Sequence, residues 1–320
     1  MRILSGIQPS GKLHIGNFFG MMKQAIELQQ KGETYLFIAD FHSLTTNPDS
    51  ADLRGRVLEV AIDFLSCGLD TDKVCFFRQS DVPQVCELTW ILNNVCPVGL
   101  LQRAHSYKDK IAKGFEANNG LFSYPVLMAS DILLYQSDMV PVGKDQKQHI
   151  EITRDLAIKF NERYGDIFTI PECFIPEAVA VVPGLDGQKM SKSYNNTIPI
   201  FGKDKEIRKI VMSIVTDSKG LEDAKDPDAC NVVALYRLFA TGEQLEEMKE
   251  RYRAGGYGYG HAKQALFEAM QDYFAPMRKR REELASNLDY VHEILRKGAE
   301  RAEMEAEKTM DKVRRAVGLR

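Results

Sequence analysis

Ile3-Leu4-Ser5-Gly6-Ile7-Gln8-Pro9-Ser10-Gly11-Lys12-Leu13-His14-Ile15-Gly16-Asn17 is the stretch on which the fold turns. The apolar run ending at Ile7 reads as a short strand, a Pro/Ser/Gly turn follows, and an amphipathic run from Ile15 to about Gln30 reads as a helix. Strand, tight loop and helix N-terminus in that order make a ready anion site, because unpaired backbone N–H groups and the helix dipole point at a phosphate. Gly11 and Gly16 let backbone approach a nucleotide closely, and His14 and Asn17 place side-chain donors one helical turn apart. Gly6 to Leu13 also has the spacing of a phosphate-binding P-loop. Leu13, however, stands where that motif needs a Ser or Thr hydroxyl on magnesium, and Pro9 removes a backbone donor from the cradle.

Working outward, Thr34-Tyr35-Leu36-Phe37-Ile38-Ala39-Asp40 and Lys73-Val74-Cys75-Phe76-Phe77 are further short apolar runs, separated by helical patterns such as Leu53 to Leu65. Strand and helix alternating at this spacing predict a parallel sheet with helices on both faces. Another apolar run, near Ala178 to Val182, leads into Pro183-Gly184-Leu185-Asp186-Gly187-Gln188 and then Lys189-Met190-Ser191-Lys192-Ser193. Ligands in such folds gather beyond the carboxyl ends of the strands, where the two polar loops are expected to meet. After about residue 203 helical periodicity dominates, broken by Asp226-Pro227-Asp228 and by Gly255-Gly256-Tyr257-Gly258-Tyr259-Gly260, with a last helix pair from about His261 to Val317. The expected fold class is therefore α/β: a Rossmann-like domain over residues 1–202, then an all-helical domain over 203–320.

The lysine loop suits a step in which charge develops on a transferring phosphoryl group, since Lys189 and Lys192 are point charges able to follow a leaving group. A second constellation is the nearly uninterrupted apolar run from Tyr124 to Tyr135, which carries one carboxylate, Asp131. Tyr124, Met128, Asp131 and Tyr135 share one helical face. A carboxylate in an apolar slot would read an indole N–H, which only donates, but it would satisfy a phenol equally well. The residues thus narrow the substrate to an aromatic amino acid without choosing between tryptophan and tyrosine.

Composition bounds the rest. Over 320 residues the chain is 44% hydrophobic and 27% charged, ordinary for a soluble enzyme, with no signal-peptide pattern and no apolar run of membrane-spanning length. A cytoplasmic location is expected. Six cysteines include no C-x-x-C pair, so core thiols are expected rather than zinc or an iron–sulfur cluster, and the scattered histidines give no metallohydrolase pattern. The net charge of −3 argues mildly against bulk nucleic-acid binding, yet residues 275–320 are net basic, with Arg278-Lys279-Arg280-Arg281 as the densest cluster.

These motifs carry a resemblance. The loop at 8–17 and the lysine loop resemble the two nucleotide-binding signatures of class I aminoacyl-tRNA synthetases. Ser5-Gly6-Ile7-Gln8-Pro9-Ser10-Gly11, Ala129-Ser130-Asp131-Ile132-Leu133-Leu134-Tyr135 and Val140-Pro141-Val142-Gly143-Lys144-Asp145-Gln146-Lys147-Gln148-His149 resemble bacterial tryptophanyl-tRNA synthetases. The resemblance implies ATP contacts from Gln8, Pro9, Ser10, His14, Gly16, Asn17, Gly143, Lys144, Asp145, Val182, Lys189, Met190, Ser191, Lys192 and Ser193. It implies tryptophan contacts from Asp131, on the indole N–H, and from Leu4, His42, Tyr124, Met128, Ile132, Val140, Val142 and Gln146. Lys189, Lys192, Asn17 and Lys110 are its catalytic candidates, and it brings magnesium on the phosphates, a homodimer, and tRNA(Trp) with the basic helical end on the anticodon side. Leu4, where many members carry an aromatic residue, and Lys144, where an acidic one is common, depart from the family pattern. The single cysteine of the helical region, Cys230, rules against the iron–sulfur cluster of some relatives. A small-cofactor nucleotidyltransferase of the same superfamily would not need a helical region with a basic end. Intact Lys189 and Lys192 weigh against a descendant that has lost turnover.

Overall fold

Five strands, β1 (Arg2–Ile7), β2 (Glu33–Ile38), β3 (Val74–Arg78), β4 (Met139–Pro141) and β5 (Glu172–Phe174), form one sheet in the order β3-β2-β1-β4-β5, with every pairing parallel. The computed structural model describes residues 1–9, 11–45, 52–112, 114, 117–175 and 181–320, apart from the side chains of residues 105, 106, 109 and 110. Ile3, Leu4, Leu36, Ile38, Phe76 and Phe77 are all buried. A sheet covered on both faces selects such continuous apolar strands rather than alternating ones. β2 and β3 lie on one side of β1 and β4 and β5 on the other, so the direction of winding reverses between β1 and β4. In a doubly wound sheet the crevice beyond that reversal is where a ligand fits. The expected Rossmann-like α/β fold is what the chain adopts. Of the apolar run at 178–182, residues 178–180 lie outside the described residues.

The chain forms two compact units, drawn differently from a cut after residue 202. The first comprises Met1–Gly11, Ala25–Glu177 and Ser286–Arg320, and the second Lys12–Gln24 and Ala178–Ala285. In the first, the final helix, Leu288–Val317, returns to the sheet and lies on β3. β3 is an edge strand, and covering an edge removes a template for unwanted strand pairing. The approach is close enough that a Cβ on Gly298 would stand 1.8 Å from the Phe76 carbonyl oxygen. Cys75 donates its thiol to the Gly298 carbonyl at 3.2 Å, and burial pushes that thiol up to about 12. Arg314 fixes the far end of the helix with a bidentate pair to Glu87 at 2.7 and 2.6 Å, while Arg2 reaches Glu305 at 2.6 Å. Cys67, Cys75 and Cys230 are buried, whereas Cys86 is exposed on the solvent side of the Gln84–Asn93 helix.

The expected helix after the first signature begins in the second unit and is irregular: Ile15–Asn17 runs into a π-helical turn, Phe18–Met22, and then Lys23–Glu27. Phe18 packs edge-on against Phe274 (5.2 Å), which ties this segment to the Tyr259–Ala285 helix, and Phe19 packs edge-on against Phe239 (5.4 Å). Such edge-to-face pairs add roughly 0.5–1.5 kcal/mol beyond their buried area. The basic cluster lies near the end of the same helix, and part of it faces inward. Arg278 donates to Asp204 at 2.9 Å and Arg281 stacks 5.1 Å over the Phe201 ring, while Lys279 and Arg280 are exposed. No helix among the described residues is long and apolar enough to cross a membrane.

Glycine to alanine inside a helix ordinarily stabilises by about 1 kcal/mol. Gly298→Ala should do the opposite, lowering unfolding free energy by about 1–3 kcal/mol in a urea titration, as overpacking does. A more stable variant would show that the last helix does not lie on β3.

Candidate active site

Four connections leave the carboxyl ends of the strands in the sheet unit. Gln8 and Pro9 follow β1, the Asp40–Ser43 helix with His42 follows β2, Gln79 follows β3, and Val142 to Gln146 follow β4. Beside them runs the Asn119–Leu134 helix, started by Asn118, whose side chain accepts from the Leu121 N–H at 2.8 Å. Asp131 is 3% exposed on this helix. Gln79 Nε2 donates to both of its oxygens at 2.9 Å, and His42 Nε2 lies 2.9 Å from Oδ2. Burial pushes the Asp131 carboxyl above the usual range, and the bonds from His42 and Gln79 pull it back. The orientation of Gln79 is fixed in turn, because its Oε1 accepts from the Phe41 N–H at 3.1 Å. Asp40 accepts from the Ser80 N–H at 3.0 Å and from the Ser80 hydroxyl, stitching the β2 and β3 connections together.

The expected aromatic pocket divides by burial. Leu4, Ile132 and Val140 are inside the apolar core at 1%, 1% and 3% exposure, whereas Tyr124, Met128, Val142 and Gln146 are half-buried. The Tyr124 hydroxyl is 2.8 Å from His149 Nε2. Tyr135, just past the end of the helix, stacks on Tyr35 with centroids 4.9 Å apart. Gly143, Lys144 and Asp145 are exposed on a short turn, where Gln146 donates to Asp145 at 3.1 Å. Ser10 and the Lys110 side chain lie outside the described residues. A cavity of about 540 Å³ is lined by Asp40, Phe41, Leu58, Arg78, Ser80 and Leu295 among others, and by none of the expected substrate residues. The expected substrate residues gather at the buried Asp131 network and not around that cavity.

The second unit holds the Lys12–Asn17 part of the first signature and the whole lysine loop. His14 caps the Ile15–Asn17 turn reciprocally: its Nδ1 accepts from the Asn17 N–H at 3.3 Å, and Asn17 Oδ1 accepts from the His14 N–H at 3.2 Å. The acceptor role of Nδ1 puts the ring proton on Nε2, a donor. Burial first, and the Lys192 charge second, push the His14 imidazole down to about 4. The two signatures touch at Gly16, whose N–H points at the Met190 sulfur at 3.3 Å. A Cβ at that glycine would stand 2.9 Å from His14 Nδ1 and 3.1 Å from the Met190 Cβ. A strand-like pairing seats the segments side by side, with Ile15 N–H on the Ile198 carbonyl at 3.0 Å and Ile200 N–H on Leu13 at 3.3 Å. Met190 and Val182 are buried, Lys189, Lys192 and Ser193 are exposed, and desolvation lowers the pKa of Lys192. Val182 contributes its carbonyl, which accepts from the Met190 N–H at 2.9 Å.

Sequence reasoning did not single out Gln79 or Asn196. A glutamine directly after an apolar strand was the available signal for the first. For the second the signal was an asparagine closing a lysine- and glycine-rich loop. Among the described residues, no three His, Cys, Asp or Glu side chains gather as a metal-ligand set.

A histidine whose folded pKa lies below its unfolded value of about 6.5 costs stability as pH falls through that unfolded value, levelling off below about 4. An NMR titration of the His14 ring should therefore show it neutral at pH 5, and a midpoint near 6.5 would contradict the burial described.

Residues 1–275 match the family model of class I tRNA synthetases for W and Y. The chain is 53% identical to the tryptophan–tRNA ligase of Fusobacterium nucleatum over 319 residues, covering 99% of this chain and 98% of that one. It is equally identical, 53%, to the tryptophan–tRNA ligase of Rhodopirellula baltica over the full length of both. Its fold is similar to that of the Campylobacter jejuni tryptophanyl-tRNA synthetase complexed with ADP and tryptophan, with a TM-score of 0.97 and 50% identity over 99% of this chain and 100% of that one. The crystal structure of the Aeropyrum pernix tyrosyl-tRNA synthetase, at 19% identity and a TM-score of 0.66, shares the fold alone. With the signature loops, the switch-point sheet and full-length identity in agreement, the chain belongs to the class I tRNA synthetases of the tryptophan and tyrosine group.

Proposed function

We propose that the chain joins L-tryptophan to the α-phosphate of ATP, releasing pyrophosphate, and then transfers the tryptophanyl group to tRNA(Trp). The observation that carries an aromatic amino acid with a polar N–H or O–H edge is the buried Asp131 held by His42 and Gln79. The relatives matched over their whole length are tryptophan enzymes, which supports indole over phenol as its partner.

In the first step a tryptophan carboxylate oxygen attacks the α-phosphorus, and the bond from that phosphorus to the bridging oxygen of pyrophosphate breaks. No protein nucleophile is needed, so the side chains position and neutralise. His14, held neutral, offers its Nε2–H to a phosphate oxygen, Asn17 adds its amide, and Lys189 and Lys192 stabilise charge on the leaving pyrophosphate. Gln8, Pro9 and Ser10, the Gly143–Asp145 turn, Gly16, Val182 and the remaining 189–193 residues complete the proposed ATP contacts, and Lys110 is a further candidate. Leu4, Ile132 and Val140 shape the indole slot from the core side, while Tyr124, Met128, Val142 and Gln146 line it. Magnesium travels with the phosphates, which fits a chain whose described residues offer no carboxylate cluster of their own.

In the second step a ribose hydroxyl of the tRNA end attacks the activated carbonyl and AMP leaves. We assign catalysis to residues 1–202 and the anticodon side of tRNA recognition to 203–320, with Lys279 and Arg280 as its exposed cations. A homodimer accords with Trp90, 73% exposed, and Val98, 61% exposed. We place this activity in cytoplasmic protein synthesis.

Amino-acid-dependent ATP–pyrophosphate exchange should occur with tryptophan. Replacing Lys189 and Lys192 together by Ala should lower its kcat by roughly 10²–10³-fold with tryptophan affinity kept within a few-fold. Exchange with tyrosine would refute the substrate, silence with every amino acid would refute the activity, and full kcat in the double variant would remove the lysines from the step. Gln79→Leu removes a bond that favours the Asp131 carboxylate, and that acceptor is lost as pH falls through its pKa. The acid limb of kcat/KM for tryptophan should therefore move to higher pH, and an unmoved limb would show that Gln79 does not tune Asp131.

A further inference from the structure

We propose that Asn196 is the positioning residue of the lysine loop, pinning through Asp186 and the loop backbone the geometry from which Lys189 and Lys192 act. This inference rests on the adenylation reading above. Asn196 is 2% exposed, unusual for an asparagine in a loop, and its amide is nearly saturated. Its Oδ1 accepts from the Ser191 N–H at 2.8 Å, and its Nδ2 donates to Asp186 Oδ1 at 2.7 Å and to the Lys189 carbonyl at 3.2 Å. Its own carbonyl accepts from the Leu185 N–H at 3.0 Å. One side chain thus holds both sides of the loop, the turn before Lys189 and the backbone on either side of Met190.

The geometry separates a clamped backbone from exposed side chains. Asp186 also accepts from the Gln188 N–H at 3.1 Å, and the Asn196 bond holds its carboxyl below the usual range. Met190 is buried against Gly16, and Ser191 caps the Lys192–Tyr194 turn. The backbone at 189 and 191 is therefore clamped, while both lysine side chains remain exposed. A mobile cation contributes to a transition state only from a defined base, and misplacement by about 1 Å costs up to roughly 10²-fold in rate.

The test compares Asn196→Asp, Asp186→Asn and the swapped pair carrying both. Asn196→Asp is nearly isosteric; it keeps the acceptor for Ser191 but loses the donor and sets two carboxylates against each other. In the swapped pair the donor moves to position 186 and the acceptor to 196, which restores that bond in reverse. Tryptophan-dependent ATP–pyrophosphate exchange should show kcat lower by roughly 10–100-fold in Asn196→Asp, tryptophan affinity by calorimetry unchanged, and partial recovery of kcat in the swapped pair. Hydrogen exchange in peptides spanning 184–196 should quicken in Asn196→Asp and not in peptides from the Tyr259–Ala285 helix. Wild-type kcat in Asn196→Asp, a loss of kcat matched by a loss of tryptophan affinity, or a swapped pair no better than the singles would overturn the proposal. If the unmodified protein shows no exchange activity, the adenylation reading fails instead. The hydrogen-exchange comparison then still decides whether Asn196 pins the loop, with unchanged protection counting against it.

Discussion

A carboxylate taken out of water is tolerated only when its lone pairs find donors, and Asp131 imposes that condition on three separate parts of the sheet unit. The Asp40–Ser43 helix must bring His42 to it, the end of β3 must bring Gln79, and the apolar Asn119–Leu134 helix must carry the carboxylate inward without unwinding. Gln79 can point its amide N–H groups at Asp131 because Phe41 holds the other end of that amide. The Asp40–Ser80 bonds keep these two connections in register. An unpaired buried acceptor costs on the order of 1–3 kcal/mol, more when charged, so the arrangement is restrictive. Under the proposed function, it also prepares a site for the indole N–H.

The other unit solves a different problem, holding residues 12–17 beside the lysine loop, 170-odd residues away in the sequence. Backbone pairing between the 13–15 and 198–200 segments brings them together, and the absence of a side chain at Gly16 lets Met190 seat against the helix start. Burying His14 keeps it neutral and fixes its tautomer, so it offers a hydrogen bond where a charge would have cost desolvation. Lys189 and Lys192 place positive charge on a solvent-exposed part of the constellation.

Where local patterns govern, the chain could be read directly. β1, β2 and β3 fall within a residue or two of their apolar runs, and the Leu53–Ser66 helix within a residue or two of its periodic pattern, because each is long enough to stand out locally. β4 and β5 span three residues each, too short for a period, and their pairing with β1 and with each other depends on segments far along the chain. The final helix reads as amphipathic in the sequence, but its partner, an edge strand more than 200 residues upstream, is visible only as the unexplained Gly298. In the candidate site, Asp131 and the two signatures were legible from residue type and spacing. Gln79 and Asn196 were not, since an amide that orients another polar group has the same sequence signature as one facing water. Arg278 shows the converse: a basic cluster looks solvated until Asp204 is found beside it.

The claim at the centre is that Asp131 recognises a ring N–H. The direct measurement is the affinity of the unmodified protein and of Asp131→Ala for tryptophan and for the benzothiophene analogue of tryptophan, in which sulfur replaces the ring N–H at nearly constant shape. The account predicts that the unmodified protein favours tryptophan by at least about 10²-fold and that this preference collapses in Asp131→Ala. Equal affinity of the unmodified protein for the two ligands would contradict it.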